Sequence, residues 1–345
     1  MSGPAESAAN DAPLAPPAID FLPWQVAAQE RVGGAIAAGR LPHGLLLQGP
    51  AGVGKERFAS AFAAALFCTD RAAGRFEPCR ACPDCQLSLA GTHPDLHWIR
   101  PLEDKKTVGV DQVREACADL AMTSMRRGYR VAILVPAERM TTQAQNALLK
   151  TLEEPAPRTV LMLVAARPSV LLPTLRSRCQ RVEIAHPESG LALRWLGQAI
   201  GREAPPRLLA VAGGAPFRAL ALAPHFADLE QHMTGLLDAF LTDRIDVTRA
   251  AADLQGEGLP ARLDWLEAWL GNALRRRVGA GGDETGLTFR AGSPLQRAPA
   301  ELNITAAFQL LDRLREARRL LEGSSSAPLV VETLLLDLRA ALRPR

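Results

Sequence analysis

Gly49-Pro50-Ala51-Gly52-Val53-Gly54-Lys55 has the composition of a phosphate-binding loop. Its glycines let backbone N–H groups turn toward a polyanion, and its lysine reaches the terminal phosphates. The pattern closes on a Ser or Thr whose hydroxyl holds Mg²⁺, and here Glu56 stands in that place. A carboxylate beside a triphosphate repels it and removes the metal ligand. Gly49, Gly52, Gly54 and Lys55 are therefore the candidate nucleotide-binding residues of a degenerate loop. ATP hydrolysis is not expected of it, and ATP binding is doubtful. Two readings stay open: some phosphate contact through Lys55, or glycine geometry kept for packing alone.

A working hydrolase of this kind also needs an acidic strand end, where Asp positions Mg²⁺ and a neighbouring Glu orients water. The candidate strand Arg130–Val135 runs into Pro136-Ala137-Glu138 with no Asp-Glu pair, and Glu138 follows only in the turn. The next strand candidate, Thr159–Ala165, runs into Ala166 where a polar sensor of the γ-phosphate would be expected. Three metal- or phosphate-handling positions are replaced, and all three replacements point toward a poor or absent hydrolase.

Four of the six cysteines fall between Cys68 and Cys85. Cys68, Cys79, Cys82 and Cys85 fit a four-thiolate zinc site, with Cys79-Arg80-Ala81-Cys82 and Cys82-Pro83-Asp84-Cys85 as its tight part. Four thiolates at about 2.3 Å complete tetrahedral zinc and leave no open position, so the site would be structural. Reduced, unliganded cysteines and a redox CxxC pair are the alternatives, and the close grouping of all four counts against both.

The elements that must position these residues can be read from the apolar pattern. Gly44–Gln48 is a short apolar run leading into the glycine loop, and a helix-compatible stretch follows from Lys55 to about Phe67. Strand, glycine turn and helix are the context the motif requires. Further strands are expected at Leu96–Ile99, Arg130–Val135, Thr159–Ala165 and Arg181–Ile184, with helices at about Asp111–Met122 and Thr142–Glu153 between them. That alternation predicts a parallel sheet covered on both faces. After Pro187 the strand signals fade. Leu191–Ile200 and Pro206–Ala212 read as short helices. Helical spacing then groups Leu229, Met233, Leu236, Leu237 and Phe240, next Leu263, Leu266, Leu270 and Leu274, and last Val331, Leu335, Leu338 and Leu342. The fold class expected is α/β followed by all-α. The expected plan is a flexible tail over 1–20, an α/β domain over 21–186 with the metal module at about 68–85, a small helical domain over 187–228 and a helical domain over 229–345. A polar loop is expected at 278–300.

At 345 residues and 48% hydrophobic content the chain has ample material for a core. A formal charge of +3 is too small to argue for a nucleic-acid or membrane partner, and only four lysines occur. No run of about 18 apolar residues appears, so no membrane partner is expected. Residues 1–20 have no basic start and no apolar segment, which reads as a tail rather than a signal peptide, and a cytoplasmic location is expected. Arg126-Arg127 with Arg130, and Arg275-Arg276-Arg277, could meet phosphates, but charge rows are usually solvated faces and no aromatics interleave with these.

Asn146-Ala147-Leu148-Leu149-Lys150-Thr151-Leu152-Glu153-Glu154-Pro155, followed by Leu175-Arg176-Ser177-Arg178-Cys179, resembles the clamp-loader subunits of bacterial DNA polymerase III, a branch of the AAA+ family. The cysteine cluster occupies the place of that family's zinc module. Gly91-Thr92-His93-Pro94-Asp95, Pro23-Trp24-Gln25 and Arg40-Leu41-Pro42-His43 are similar to its delta-prime type rather than to the ATP-hydrolysing tau/gamma type. Aligned on Asn146, Val135 and Pro136 fall where tau/gamma has its Asp-Glu pair. The specific motifs cover roughly residues 21 to 220, and the C-terminal third matches only as generic helices.

The resemblance implies an AAA+ P-loop parallel sheet domain, a small helical domain and a C-terminal helical collar that holds a ring of subunits together. It implies tau/gamma and delta as partners in a heteropentamer that opens the sliding clamp and loads it on primed DNA. It also gives Arg178, within Ser177-Arg178-Cys179, a role as an arginine finger projecting into a neighbour's ATP site. From the residues alone, Arg178 is an exposed arginine at the end of a strand connection. Cys179 would be a small packing residue, and Arg218 lies one residue out of register for a second sensing arginine, so it is given no role. The rival readings are an active ATPase of the tau/gamma type, a zinc-bearing nucleic-acid-binding module and a small-molecule kinase. Each lacks the signal it needs: the Mg²⁺ ligands, a basic aromatic surface, or an acceptor site.

Overall fold

The computed structural model describes residues 18–72, 74–126, 128–256, 258–279, 295–297, 303–322 and 327–342. Most of the expected tail (1–20) and of the polar loop (278–300), together with Arg127, lie outside them. The chain divides after Glu188 into two compact units, taken separately below.

The first unit is built on five parallel strands: β1 (Gly44–Gln48), β2 (Leu96–Ile99), β3 (Arg130–Leu134), β4 (Thr159–Ala165) and β5 (Gln180–Glu183). Their order is β2-β3-β4-β1-β5, so β1 lies inside the sheet between β4 and β5. Parallel strands covered on both faces read as unbroken apolar runs. Leu45, Leu46 and Leu47 in β1, all of Val131–Leu134 in β3 and all of Val160–Ala165 in β4 are buried accordingly. Burial of each such leucine or valine is worth about 1.5–3 kcal/mol, which makes the three inner strands the rigid reference for everything attached to their ends.

Among the described residues six α-helices accompany the strands: α1 (Val26–Ala37), α2 (Lys55–Phe67), α3 (Pro83–Leu89), α4 (Val110–Ala121), α5 (Thr142–Glu153) and α6 (Pro173–Ser177). The side chain of Thr141 caps α5 by accepting the N–H of Ala144 at 3.2 Å, and Pro155 follows its last residue closely enough to stop it. Sheet and helices follow the α/β expectation, with ends shifted by a residue: α4 and β5 each begin one residue earlier than the pattern implied. α1, α3 and α6 have no counterpart in that reading.

The second unit is helical throughout its described residues: α7 (Ser189–Ile200), α8 (Pro206–Val211), α9 (Pro216–Leu222), α10 (Phe226–Leu241), α11 (Val247–Leu254), α12 (Leu259–Arg277), and the helices Ile304–Glu322 and Ala327–Leu342. One apolar core runs through them, and the leucine rows read from the spacing face it. Its largest members, Trp265 and Trp269, are fully buried beside those rows. On the surface Arg318 bridges Asp264 and Glu267 at 2.7 and 2.8 Å, and Arg218 pairs with Asp264. Among the described residues no helix is long and apolar enough to cross a membrane.

Candidate functional site

β1 delivers the glycine loop to the carboxyl end of the sheet, and α2 begins at Lys55. Gly49, Gly52 and Gly54 have φ of 149°, 77° and 88°, where residues with a Cβ are strained. A Cβ on Gly49 would lie 2.0 Å from the carbonyl oxygen of Ile184, just beyond β5. Close packing of the loop on the sheet therefore requires this glycine, whether or not a phosphate is bound.

Lys55 turns back on the loop. Its Nζ donates to the carbonyls of Gly49 and Pro50 at 2.7 and 2.5 Å. The side chain is buried, and burial lowers its pKa to about 8 against the opposing pull of Glu138 and Glu56. Glu56, in the place of the magnesium-holding hydroxyl, forms an ion pair at 2.8 Å with Arg100, whose guanidinium lies over the Trp98 ring. Glu138 accepts the backbone N–H groups of Ala166 and Arg167 at 3.0 and 3.3 Å, beyond the end of β4. From the other side Trp24 Nε1 donates to Val53 O and Gln25 Nε2 to Gly54 O. The loop is thus held from within the chain. Trp24 and Gln25 bond the loop itself, Arg100 holds Glu56 after it and Glu138 holds the amides after β4, none of them assigned a role from sequence. The available signals were the Pro23-Trp24-Gln25 run and an acid close to the strand end that lacks an acidic pair.

Arg178 lies at the opposite end of the same sheet. It follows α6, two residues before β5, and β5 pairs with β1 through Leu45 and Gln180. Its carbonyl oxygen lies 3.2 Å from where a Cβ of Gly44, the first residue of β1, would be. The glycine loop starts after the five residues of β1, on the order of 15 Å farther along at about 3.3 Å per residue. Arg178 therefore cannot serve the phosphate loop of its own chain. Its guanidinium, about one-third exposed, meets Glu153 Oε1 at 2.6 Å and donates to Thr174 O at 3.0 Å. His43 contacts Leu152 O at 2.7 Å and so fixes the end of α5 that carries Glu153. Cys179 is buried beside them, and burial pushes its thiol up to about 11, as suits a packing residue.

The four cysteines converge as their spacing implies. Cys68 ends α2, Cys82 caps α3, Cys85 lies in its first turn, and the four sulfurs lie within 4.8 Å of one another. Cys79 and Cys85 are 3.9 Å apart, as are Cys82 and Cys68. A tetrahedron of sulfurs about 2.3 Å from a metal has edges of about 3.8 Å. Backbone N–H groups of Cys79, Ala81 and Cys82 point at sulfurs from 3.2–3.4 Å, where they favour thiolates. Burial raises the pKa of Cys68 and Cys85; at Cys82 burial is outweighed by N–H groups of Cys85 and Thr69, and its pKa falls to about 6. A buried group of potential thiolates calls for a counter-cation, and this set could hold a metal ion. Asp84, between two of the cysteines, is buried against His93 and bonded to Arg126, a connection the sequence pattern did not reveal.

Comparison with known proteins adds the following. The family described as DNA polymerase III, delta subunit, matches residues 24–188. DNA polymerase III subunit delta' of Pseudomonas aeruginosa is 38% identical over 274 residues, 78% of this chain and 81% of the relative. The Escherichia coli subunit of the same name is 36% identical over 264 residues, 75% of this chain and 78% of that one. DNA polymerase III subunit gamma/tau of Mycobacterium bovis is 30% identical over 215 residues, 60% of this chain but 36% of that protein.

Proposed function

The chain belongs to the delta' family of DNA polymerase III subunits, and we propose that it acts as the non-hydrolysing member of a clamp loader, lending Arg178 to the ATP site of a neighbouring subunit. The observation that carries this reading is the placement of a partly exposed arginine at the end of the sheet remote from the chain's own phosphate loop. A guanidinium so placed serves a phosphate only across a subunit boundary. There it would spread positive charge over the equatorial oxygens of the transferring phosphoryl group. At the near end, the lysine is bonded to its own loop and the strand ends carry no acidic pair, which supports a chain that does not hydrolyse ATP itself.

Tau/gamma and delta are the partners of this reading, with the sliding clamp and primed DNA reached through the assembly in the cytoplasm. The helices beyond residue 229 would contribute to the collar that joins the subunits. The four cysteines would hold zinc, with Cys68, Cys79, Cys82 and Cys85 as its full ligand set and a structural role.

The test is made with the reconstituted assembly. The isolated chain is expected to show no ATPase above background. Arg178→Ala is expected to lower clamp-stimulated hydrolysis by the complex while the subunits still co-purify. Wild-type hydrolysis by a fully assembled Arg178→Ala complex would refute the finger assignment.

A further inference from the structure

Three stretches far apart in sequence meet beside the cysteine cluster: Asp84 between two of the cysteines, His93 and Asp95 before β2, and the segment Met122–Arg126 after α4. Asp95 is 1% exposed and accepts Ser124 Oγ at 2.9 Å, the N–H of Met125 at 2.9 Å and the N–H of Arg126 at 3.0 Å. Asp84 is 4% exposed and accepts Arg126 Nε at 2.7 Å. His93 bridges the two acids. Its Nδ1 accepts the N–H of Asp95 at 3.2 Å, its Nε2 faces Asp84 Oδ1 at 3.4 Å, and its ring stacks on Phe67, next to Cys68.

Met122 and Met125 are 68% and 78% exposed, so apolar burial of these two does not fix the segment's course. Two buried carboxylates do, one from each side. Asp95 precedes β2 and so belongs to the sheet, whereas Asp84 belongs to the cysteine module. Asp84 stands one residue before Cys85 and two after Cys82, so a metal held by those two sulfurs would restrain its backbone.

We propose that the four-cysteine centre, through Asp84, is a positioning device that clamps the segment Met122–Arg126 against the sheet, so that metal occupancy sets the order of that loop. The inference rests on the metal reading of the cysteines but not on the finger role of Arg178. It gives the module a task beyond closing its own insertion. A bound metal fixes the first turn of α3, α3 fixes Asp84, and Asp84 holds the guanidinium of Arg126, whose own N–H is held by Asp95.

Full-length protein is assayed by metal content and by hydrogen exchange at the amides of Met125 and Arg126, with Val131 and Ala132 in β3 as internal controls. Chelation is expected to speed exchange at the two loop amides at least tenfold while the β3 amides stay protected. Asp84→Asn, and Arg126→Gln made from the loop side, are expected to speed loop exchange about fivefold or more with full metal content. Wild-type loop protection in both variants, each with its metal bound, would overturn the coupling. Should chelation unfold the whole unit, the two metal-loaded variants decide. Purified protein without metal would instead refute the metal reading, and the coupling with it.

Discussion

The two ends of one parallel sheet have met different fates in this chain. At the carboxyl end the phosphate loop keeps its glycine backbone and its polar groups are paired within the chain: Lys55 is bonded to its own loop, Glu56 to Arg100, and Glu138 to the amides after β4. At the amino end Arg178 stays partly exposed, steadied by Glu153 and Thr174 but not covered. The same inner strands support both. Packing alone already requires a glycine at position 49, since a Cβ there would meet the Ile184 carbonyl. An exposed side chain at a strand end costs the fold little to retain.

The largest effect is expected where the comparison is boldest. In the assembled complex Arg178→Ala should lower turnover at the adjoining ATP site by on the order of 10³-fold, the lower end of what arginine fingers supply. Arg178→Lys should recover little of it, because a point charge does not reproduce the planar fork. Single-turnover hydrolysis checks both, and full activity in the alanine variant would erase the contrast between the ends.

Next in size is Gly49→Ala, which places a Cβ against the Ile184 carbonyl at a positive φ. It should destabilise the unit by more than about 2 kcal/mol in denaturant titration, even though no nucleotide is involved. A neutral outcome would mean that phosphate, not packing, is what the loop's glycine serves.

A smaller effect is expected from Lys55, whose pKa is lowered to about 8. Between that value and its ordinary one near 10.5 the unfolded chain binds more protons than the folded one, so stability rises with pH across this window and is flat below it. The charged, buried lysine thus costs about 3 kcal/mol at neutral pH, and Lys55→Met should remove its share of the slope. Urea titrations of both proteins from pH 7 to pH 10 check this, and equal slopes would mean the lysine is solvated.

The smallest effect is expected from Glu56→Thr, which restores the hydroxyl that the loop pattern calls for. Losing a half-exposed ion pair with Arg100 should cost less than about 1 kcal/mol. The isolated chain should still not hydrolyse ATP, since Val135-Pro136 supplies no acid. Hydrolysis appearing in this single variant would show that the carboxyl end is one residue from function, and the comparison would collapse to that residue.

The apolar runs were enough to place the inner strands, α2 and α5, because a buried strand or an amphipathic helix writes its period directly into the chain. Thr142–Glu153 was legible to the residue, since Thr141 and Pro155 mark its ends. The cysteine group was legible because four of the six thiols fall within 18 residues at short gaps. Short α3 and α6 were not, as five to seven residues give too little periodicity to detect. Trp265 and Trp269 were passed over beside a row of leucines, although they fill the centre of the helical unit.

What the chain alone determined, then, is which groups are present and which are missing: a loop lysine, four thiols, an arginine after α6, and no acidic pair. The folded structure decided their partners and their distance from one another. Parallel strands set every following segment at a fixed end of the sheet. Arg178 is thereby carried to the end opposite Lys55, and Arg126 is brought to the buried carboxylates of Asp84 and Asp95, up to 42 residues away in sequence. Hydrogen bonds between such distant residues leave no period in the sequence, because what creates them is the crossing of strands and helices, not local spacing.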